Sequence, residues 1–533
     1  MVLNLIQTLI KEGFLIDSSL KDFLLKIPED CLDTFKEILF SLNPPQLISR
    51  TFFQENSEKF STLFTNKIIN FPDSEKKRNL EALKELFLSS FIKKEVSPSL
   101  KTPKKKEKSV KEKTNSPRNK LTILSAPCID NEKEIEVADF VAYFRDRLKY
   151  LKTILENNTE LENLTTINKI SSQRQNISII GMIYSINHTK NKNILLEIED
   201  LTGRISVLIH QSKEELFNKT KYLVLDEVIA VRGSGNSEII FANDVFFPEV
   251  IKQKKSFIAE EEIALFTGDL HVGSNNFLEE NFTKFVKWIN GEIGSEKQRE
   301  FAKSVKYLFI LGDLISGIGV YPGQEENLVI KDIKNQFIKF IELISDVRKD
   351  VDIIIIPGNH DPVRIAEPQP QFEGDYSKKL YLMENVYVLP NPSVVNIGIS
   401  PETQGVNILL YHGYSFDYYH LNIDYLRLNR ANERPEFIHR LLLQKRHLAP
   451  SHSSTLYIPN EKDNHLIRII PDIFATGHLH TSSVANINNI LCISASCWES
   501  RTDFQEKVGH MPDPCKVPAV NLKTGKVKIL DFS

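Results

Sequence analysis

The sequence predicts an α/β protein in three parts: a helical N-terminal domain, a small β-barrel, and a large domain of buried strands whose ends carry polar residues. Three observations predict this. Leu3, Ile6, Leu9 and Ile10 recur at helical spacing near the start. Between Gln175 and Val250 the period changes to alternation. Beyond Ile263, five short apolar runs each lead into Gly, Asp, Asn or His. A chain of 533 residues exceeds what one core usually organises. With 41% hydrophobic and 26% charged residues and a net charge of −3, it is neither collagenous nor disordered throughout.

Taken in order, Leu32 to Leu42 and Leu80 to Phe91 continue the helical pattern, and Pro44-Pro45 and Pro72-Asp73 mark helix ends. Residues 1–92 are therefore expected to form a helical domain, with docking to another protein as its role. Residues 93–120 hold eleven Lys/Arg against three Glu, with prolines at 98, 103 and 117. This composition cannot bury a core, so a basic disordered tether is expected, solvated and able to lend salt-sensitive affinity for nucleic acid.

Residues 121–171 are expected to be a helical connector. There, Val137 to Asn157 places Phe140, Tyr143, Phe144, Leu148 and Leu151 on one helix face as a core or subunit contact. Residues 172–255 follow, with strands at Ile177 to Ile186, Ile194 to Ile198, Ile205 to His210, Val228 to Arg232 and Ile239 to Phe246, and a helical stretch around Lys213 to Tyr222. Five strands with a helix between the third and fourth is the order of an OB-fold. Few aromatic and basic residues interleave on it, which favours a subunit-contact barrel over one that grips single strands. The five cysteines (Cys31, Cys128, Cys492, Cys497, Cys515) form no C-x-x-C pair, so neither a disulfide framework nor a zinc knuckle is expected. No apolar run reaches the roughly 18 residues of a membrane span, and the expected location is the cytoplasm.

Residues 256–533 carry the chemistry. Ile263 to Phe266 leads into Gly268-Asp269-Leu270-His271, and Tyr307 to Leu311 into Gly312-Asp313. Val351 to Ile356 leads into Pro357-Gly358-Asn359-His360-Asp361, Ile408 to Leu410 into Tyr411-His412-Gly413, and Ile473 to Ala475 into Gly477-His478-Leu479-His480. Ligands in α/β sheets collect at the carboxyl ends of strands, so these five ends can share one site. Carboxylates, a carboxamide and imidazoles without thiolates suit Mn, Fe, Zn or Mg. A carboxylate bridging two such ions suits in-line displacement at phosphorus, and phosphoester hydrolysis is the expected reaction. Each motif alone has a bland reading, a turn or a packed histidine; the five in order do not.

This order of motifs resembles the calcineurin-like metallophosphoesterase superfamily, a sandwich fold. Finer matches are G-D-L-I-S-G-I-G-V-Y-P-G-Q-E from Gly312, A-E-P-Q-P from Ala366, R-H-L-A-P from Arg446, P-D-I-F-A-T-G-H-L-H from Pro471 and T-D-F-Q from Thr502. These look like the small subunits of archaeal family D DNA polymerases, and the barrel and the Y-F-R-D-R helix at Tyr143 to Arg147 fit the same family. The resemblance implies a 3′-to-5′ exonuclease on single-stranded or mismatched DNA ends, proofreading for a separate large polymerizing subunit in a heterodimer. A sliding clamp is a further candidate partner.

Carried over by position, the resemblance implies that Asp269, His271 and His480 hold one divalent metal and Asn359, His412 and His478 a second, with Asp313 between them. Mn²⁺ is the expected ion. His360 would act on the departing sugar oxygen. Ser316 stands where the family pattern leads one to expect an acid orienting that histidine, and Ser451 to Leu456 lacks the glycines usual there. Two other readings stand beside the nuclease: a noncatalytic scaffold of the polymerase B-subunit type, and a metallophosphatase for another substrate class.

Overall fold

The computed structural model describes residues 15–16, 20, 23, 27, 29–42, 47–48, 53, 56–69, 75–91, 121–127, 134–507 and 509–533. The expected helix at Leu3 to Ile10, the two proline breaks, the basic tether and Cys128 lie outside these residues. The chain divides into two compact units, residues 1–112 and 113–533. The first contains helices α1 (Leu32–Ser41), α2 (Ser57–Ile69) and α3 (Glu75–Phe91). Its core is largely aromatic: Phe35, Phe53, Phe60, Phe64 and Phe87 are fully buried, and Phe60 stacks on Phe87 at 4.7 Å between ring centroids. Such ring pairs add about 0.5–1.5 kcal/mol beyond the area they bury.

The second unit begins with strand β1 (Leu121–Ser125) and helix α4 (Val137–Leu155). A closed barrel follows, made of β2 (Gln175–His188), β3 (Ile194–Asp200), β4 (Gly203–Ile209), β5 (Val228–Gly235) and β6 (Ile239–Phe246) in the order β2-β3-β4-β6-β5, with α5 (Glu214–Lys219) between β4 and β5. Alternate residues Ile194, Leu196 and Ile198 point inward and are buried, which is why the period-two pattern was visible. Helix α4 buries Tyr143, Leu148 and Leu151, leaving Phe140 and Phe144 half-buried.

The remainder is two six-stranded sheets packed face to face. The first runs β10 (Val386–Val388), β9 (Asp352–Ile356), β8 (Val305–Leu311), β7 (Ile263–Thr267), β16 (Lys516–Asn521), β17 (Val527–Asp531). The second runs β14 (Ser483–Ile487), β15 (Ile490–Ser494), β13 (Ile473–Thr476), β12 (Val406–Tyr411), β11 (Ser393–Ile397), β1. β1 pairs antiparallel with β11, so residues 121–125, expected within a helical connector, are instead an edge strand of this sheet. Their Leu-Thr-Ile-Leu stretch is too short to show a period, and only pairing decides it.

Both faces of the central strands of each sheet are covered, which accounts for the unbroken apolar runs. Ile263 and Leu265 face helices α6 (Glu279–Ile289) and α7 (Ile333–Ser345), whereas Ala264 and Phe266 face the other sheet. Helix α8 (Glu436–Lys445) covers the second sheet with Ile438, Leu441 and Leu442. The four described cysteines are free thiols, all buried. No helix among the described residues is long and apolar enough to cross a membrane.

Candidate metal centre

Strand register brings the motif loops together. Leu311 of β8 pairs with Ile356 of β9, and Ile310 with Thr267 of β7, so the turns at Gly268, Gly312 and Pro357 leave the first sheet side by side. In the second sheet Tyr411 pairs with Thr476, which sets His412 beside Gly477. Main-chain bonds join the turns: Asp269 N–H donates to Gly312 O (2.9 Å), His271 N–H to Asp313 O (3.1 Å) and Gly477 N–H to His412 O (2.9 Å). The turns are tight. Asp269, His271, Asp313, His478 and His480 all have left-handed backbones, with φ between 49° and 72°. Each such non-glycine residue costs on the order of 1–3 kcal/mol, a concentration of strain typical of functional sites. Gly312, at φ +91°, sits where a Cβ would fall 2.5 Å from His412 Nδ1.

All the residues singled out in the sequence arrive here. The donor atoms of Asp269, His271 and His480 lie within 4.8 Å of one another, as do those of His271, Asp313 and His360, and of Asp269, Asp313 and His412. Asp313 Oδ2 is 3.8 Å from His271 Nε2 and 3.6 Å from His412 Nε2. Asn359 Oδ1 is 2.9 Å from His412 Nε2. His478 is placed at the margin: its main-chain N–H donates to both Asp269 oxygens, at 3.0 and 3.1 Å, while its Nε2 is 3.1 Å from Asp417 Oδ2.

These groups fit divalent cations. His271 Nε2 and His480 Nε2 face each other at 3.0 Å, with Asp269 Oδ1 3.6 Å from the latter, a convergence of buried acceptors that a shared positive charge would relieve. The electrostatics show how tightly these charges are crowded. Burial pushes the Asp269 carboxyl up to about 7, with Asp313 adding to the shift and His412 opposing it. Burial also opposes the charge on Asp313, but His412 and His360 outweigh it and hold that carboxyl well below the usual range. Burial, reinforced by His360, takes His271 down to about 3. His412, despite its burial, is pushed up to about 10 by Asp313. Its Nδ1 is 2.8 Å from Leu311 O; a carbonyl only accepts, so Nδ1 carries a proton and Nε2 faces the carboxylates.

Several supporting groups had no spacing to reveal them. His360 Nδ1 donates to the main-chain carbonyl of Ser316 at 2.9 Å, so a backbone oxygen takes the place of the orienting acid absent at that position. Asp361 accepts from Gly358 N–H (2.8 Å), Leu314 N–H (2.9 Å) and Ile315 N–H (3.3 Å), pinning two motif turns together. Its letter was present in G-N-H-D without a role attached. Gln505, in T-D-F-Q, places its amide 3.0 Å from His480 Nδ1. Glu499 accepts from Ser274 Oγ at 2.6 Å, and burial pushes its carboxyl up to about 7.

A second polar network lies outside the centre. Arg147 of α4 donates to Asp463 Oδ2 at 2.7 Å, and His447 Nε2 is 2.8 Å from the same oxygen. Tyr143 Oη is 2.9 Å from His465 Nδ1, whose Nε2 is 2.8 Å from Glu367 Oε2. Tyr411, beside His412, donates to that Glu367 oxygen at 3.2 Å. The R-H-L-A-P segment thus reads as the anchor of the connector helix.

The family described as calcineurin-like phosphoesterase matches residues 264–482. The chain is 40% identical to the DNA polymerase II small subunit of Methanothermobacter thermautotrophicus, over 75% of this chain and 80% of that one. It is 33% identical to the protein of that name from Archaeoglobus fulgidus, over 82% of this chain and 86% of the relative. It is 35% identical to the protein of that name from Pyrococcus furiosus, over 75% of this chain but 65% of the relative.

Proposed function

This chain belongs to the family of archaeal DNA polymerase II small subunits, and from that premise we propose that its sandwich domain is a 3′-to-5′ exonuclease that trims unpaired DNA ends for a separate large polymerizing subunit. The observation that supports this is the convergence of buried carboxylate and imidazole acceptors from five strand ends, which a scaffold has no use for. Breaking up a buried charge cluster by leaving one partner unpaired costs about 3–5 kcal/mol, so such a cluster is a burden unless something binds it.

In this reading Asp269, His271 and His480 hold one cation, Asn359, His412 and His478 the other, and Asp313 faces both. Two divalent ions, Mn²⁺ foremost, would supply the positive charge that polarises a phosphodiester and activates water. The chain's own residues do the rest. Leu311 O fixes the His412 tautomer, Asp417 orients His478, and Asp361 holds the β8 and β9 turns in register. His360 has its Nδ1 engaged by the Ser316 carbonyl, which leaves Nε2 to deliver a proton to the departing sugar oxygen. The closed barrel is read as an OB-fold serving subunit contact, with the helical unit as a further docking element. DNA and the large subunit are the proposed partners, and a sliding clamp a further one.

The test uses the chain with its polymerizing partner, loaded with Mn²⁺, on primer ends carrying a 3′ mismatch. Stepwise release of nucleotides from that end is expected. Intact ends under conditions where synthesis proceeds would make the chain a scaffold. Faster turnover of a phosphomonoester than of the oligonucleotide would make it a phosphatase.

A further inference from the structure

Beside the proposed centre lies a cavity of about 620 Å³ whose lining includes Phe140, Tyr414, Tyr418, His452, Leu456 and Tyr457. That size falls within the roughly 300–1,000 Å³ of small-molecule sites. Two of its lining residues touch His478 of the centre. Tyr414 packs edge-on against His478 at 5.8 Å between centroids, and Asp417, which bonds that histidine, also lines the cavity. The opposite wall is assembled in advance. Tyr457 Oη is 2.7 Å from His452 Nδ1, its ring stacks on Tyr143 at 4.8 Å, and Phe140 meets it edge-on at 6.0 Å. Tyr143 is itself held by His465 in the buried network, so this wall is rigid.

No lysine or arginine lines the cavity among the described residues, so it offers no fixed positive charge to a phosphate. Aromatic walls, one acid and a hydroxyl rim suit instead a flat, uncharged heterocycle. We propose that this cavity receives the base of the 3′-terminal nucleotide, stacked among Phe140, Tyr418 and Tyr457, so that only an end whose base is free of its partner strand can seat its phosphodiester at the centre. This rests on the nuclease reading and deepens it. Stacking accepts every base, because each has a π face, while the cost of unpairing is least at a mismatch; the cavity therefore selects for fraying and not for sequence. The segment Ser451 to Leu456, which departs from the family pattern, contributes one wall.

The test separates binding from cleavage. The complex, with Ca²⁺ in place of Mn²⁺, is titrated with a single-stranded oligonucleotide ending in 2-aminopurine, whose fluorescence falls on stacking, and with the same strand ending in a base-free sugar. Quenching is expected, with binding of the base-free end weaker by about 5- to 150-fold, the range one stacked base supplies. Tyr418→Ala should remove most of that difference and Tyr418→Trp should keep it. Leu456→Ser, at a position 62% exposed where the side chain adds little to the core, should weaken only the base-bearing end. Equal affinity for both ends, or unquenched fluorescence on bound strand, overturns the cavity assignment. If Tyr418→Ala and Leu456→Ser instead lower affinity for the large subunit and leave DNA binding unchanged, the cavity is a protein-docking site and the proposal falls. Quenching without Mn²⁺-dependent cleavage by the unsubstituted complex would overturn the nuclease reading, and with it the role given to the seated base.

Discussion

Replacing His360 with alanine separates proton delivery from metal retention, and the structure sets the size of each effect. The imidazole makes one described hydrogen bond, from Nδ1 to Ser316 O at 2.9 Å. That carbonyl also accepts from Gln324 Nε2 at 2.8 Å, so it keeps a partner when the ring is removed. The main-chain N–H of His360 that bonds Asp313 Oδ1 at 2.8 Å is untouched by any side-chain change. The stability cost is therefore that of one ordinary hydrogen bond, about 0.5–1.5 kcal/mol. The catalytic cost is much larger: loss of a positioned proton donor lowers kcat by about 10²- to 10⁴-fold, or about 2.7–5.4 kcal/mol in the barrier. Single-turnover cleavage of a mismatched primer, with elemental analysis of the same preparation, reads both quantities. His360→Gln can still reach the carbonyl but not protonate an alkoxide, and should lose as much rate. The ring also sits within reach of His271 and Asp313, in a trio that could bind an ion directly. A kcat within threefold of the parent, or metal content that falls with the substitution, would refute the assigned role.

Asp313→Ala removes the carboxylate that faces both His271 and His412, and should lower metal content together with cleavage, as elemental analysis would report. In Gly358→Ala the new methyl would overlap the Asp313 carboxylate and main-chain nitrogen, so the two turns must move apart; a displacement of that kind should cost roughly 100-fold in kcat and lower stability as well, checked by kinetics beside thermal unfolding. Arg147→Met and Asp463→Asn should each destabilise the second unit by up to about 3–5 kcal/mol, because each takes the opposite charge from a buried group, leaving Asp463 to His447 or Arg147 to the Pro450 and Asp226 carbonyls, while the double variant should lose less than the sum; hydrogen exchange in α4 would show it. His439, on α8, is buried with its Nε2 2.9 Å from Thr476 Oγ1, and burial pushes it down to about 3. The unfolded chain takes up that proton near pH 6.5 and the folded one does not. Stability is thus complete above about 6.5 and falls as pH drops toward about 3, by on the order of a few kcal/mol; His439→Gln should flatten that slope in urea titrations.

How much was legible follows from what each feature depends on. Asp269, Asp313, Asn359, His412 and His478 were readable as candidates because each follows a short apolar run of strand length that ends in a turn. That the runs belong to two sheets was not readable, since a strand covered on both faces looks the same in either. The edge strand at Leu121–Ser125 was hidden for a related reason: its pairing with β11 spans about half of the chain. The Ser316 position suggested a missing orienting group, yet the group is a carbonyl that every residue possesses. Asp417 and the Arg147–Asp463 pair carried no spacing signal at all, because their partners come from helices and loops far along the chain.

The left-handed turns at Asp269, His271, Asp313, His478 and His480 belong to two different layers, the first three following strands of one sheet and the last two a strand of the other. Neither layer holds all of these side chains, so in the reading proposed above ion affinity would depend on how the layers are spaced, and ions bound there would in turn fix that spacing.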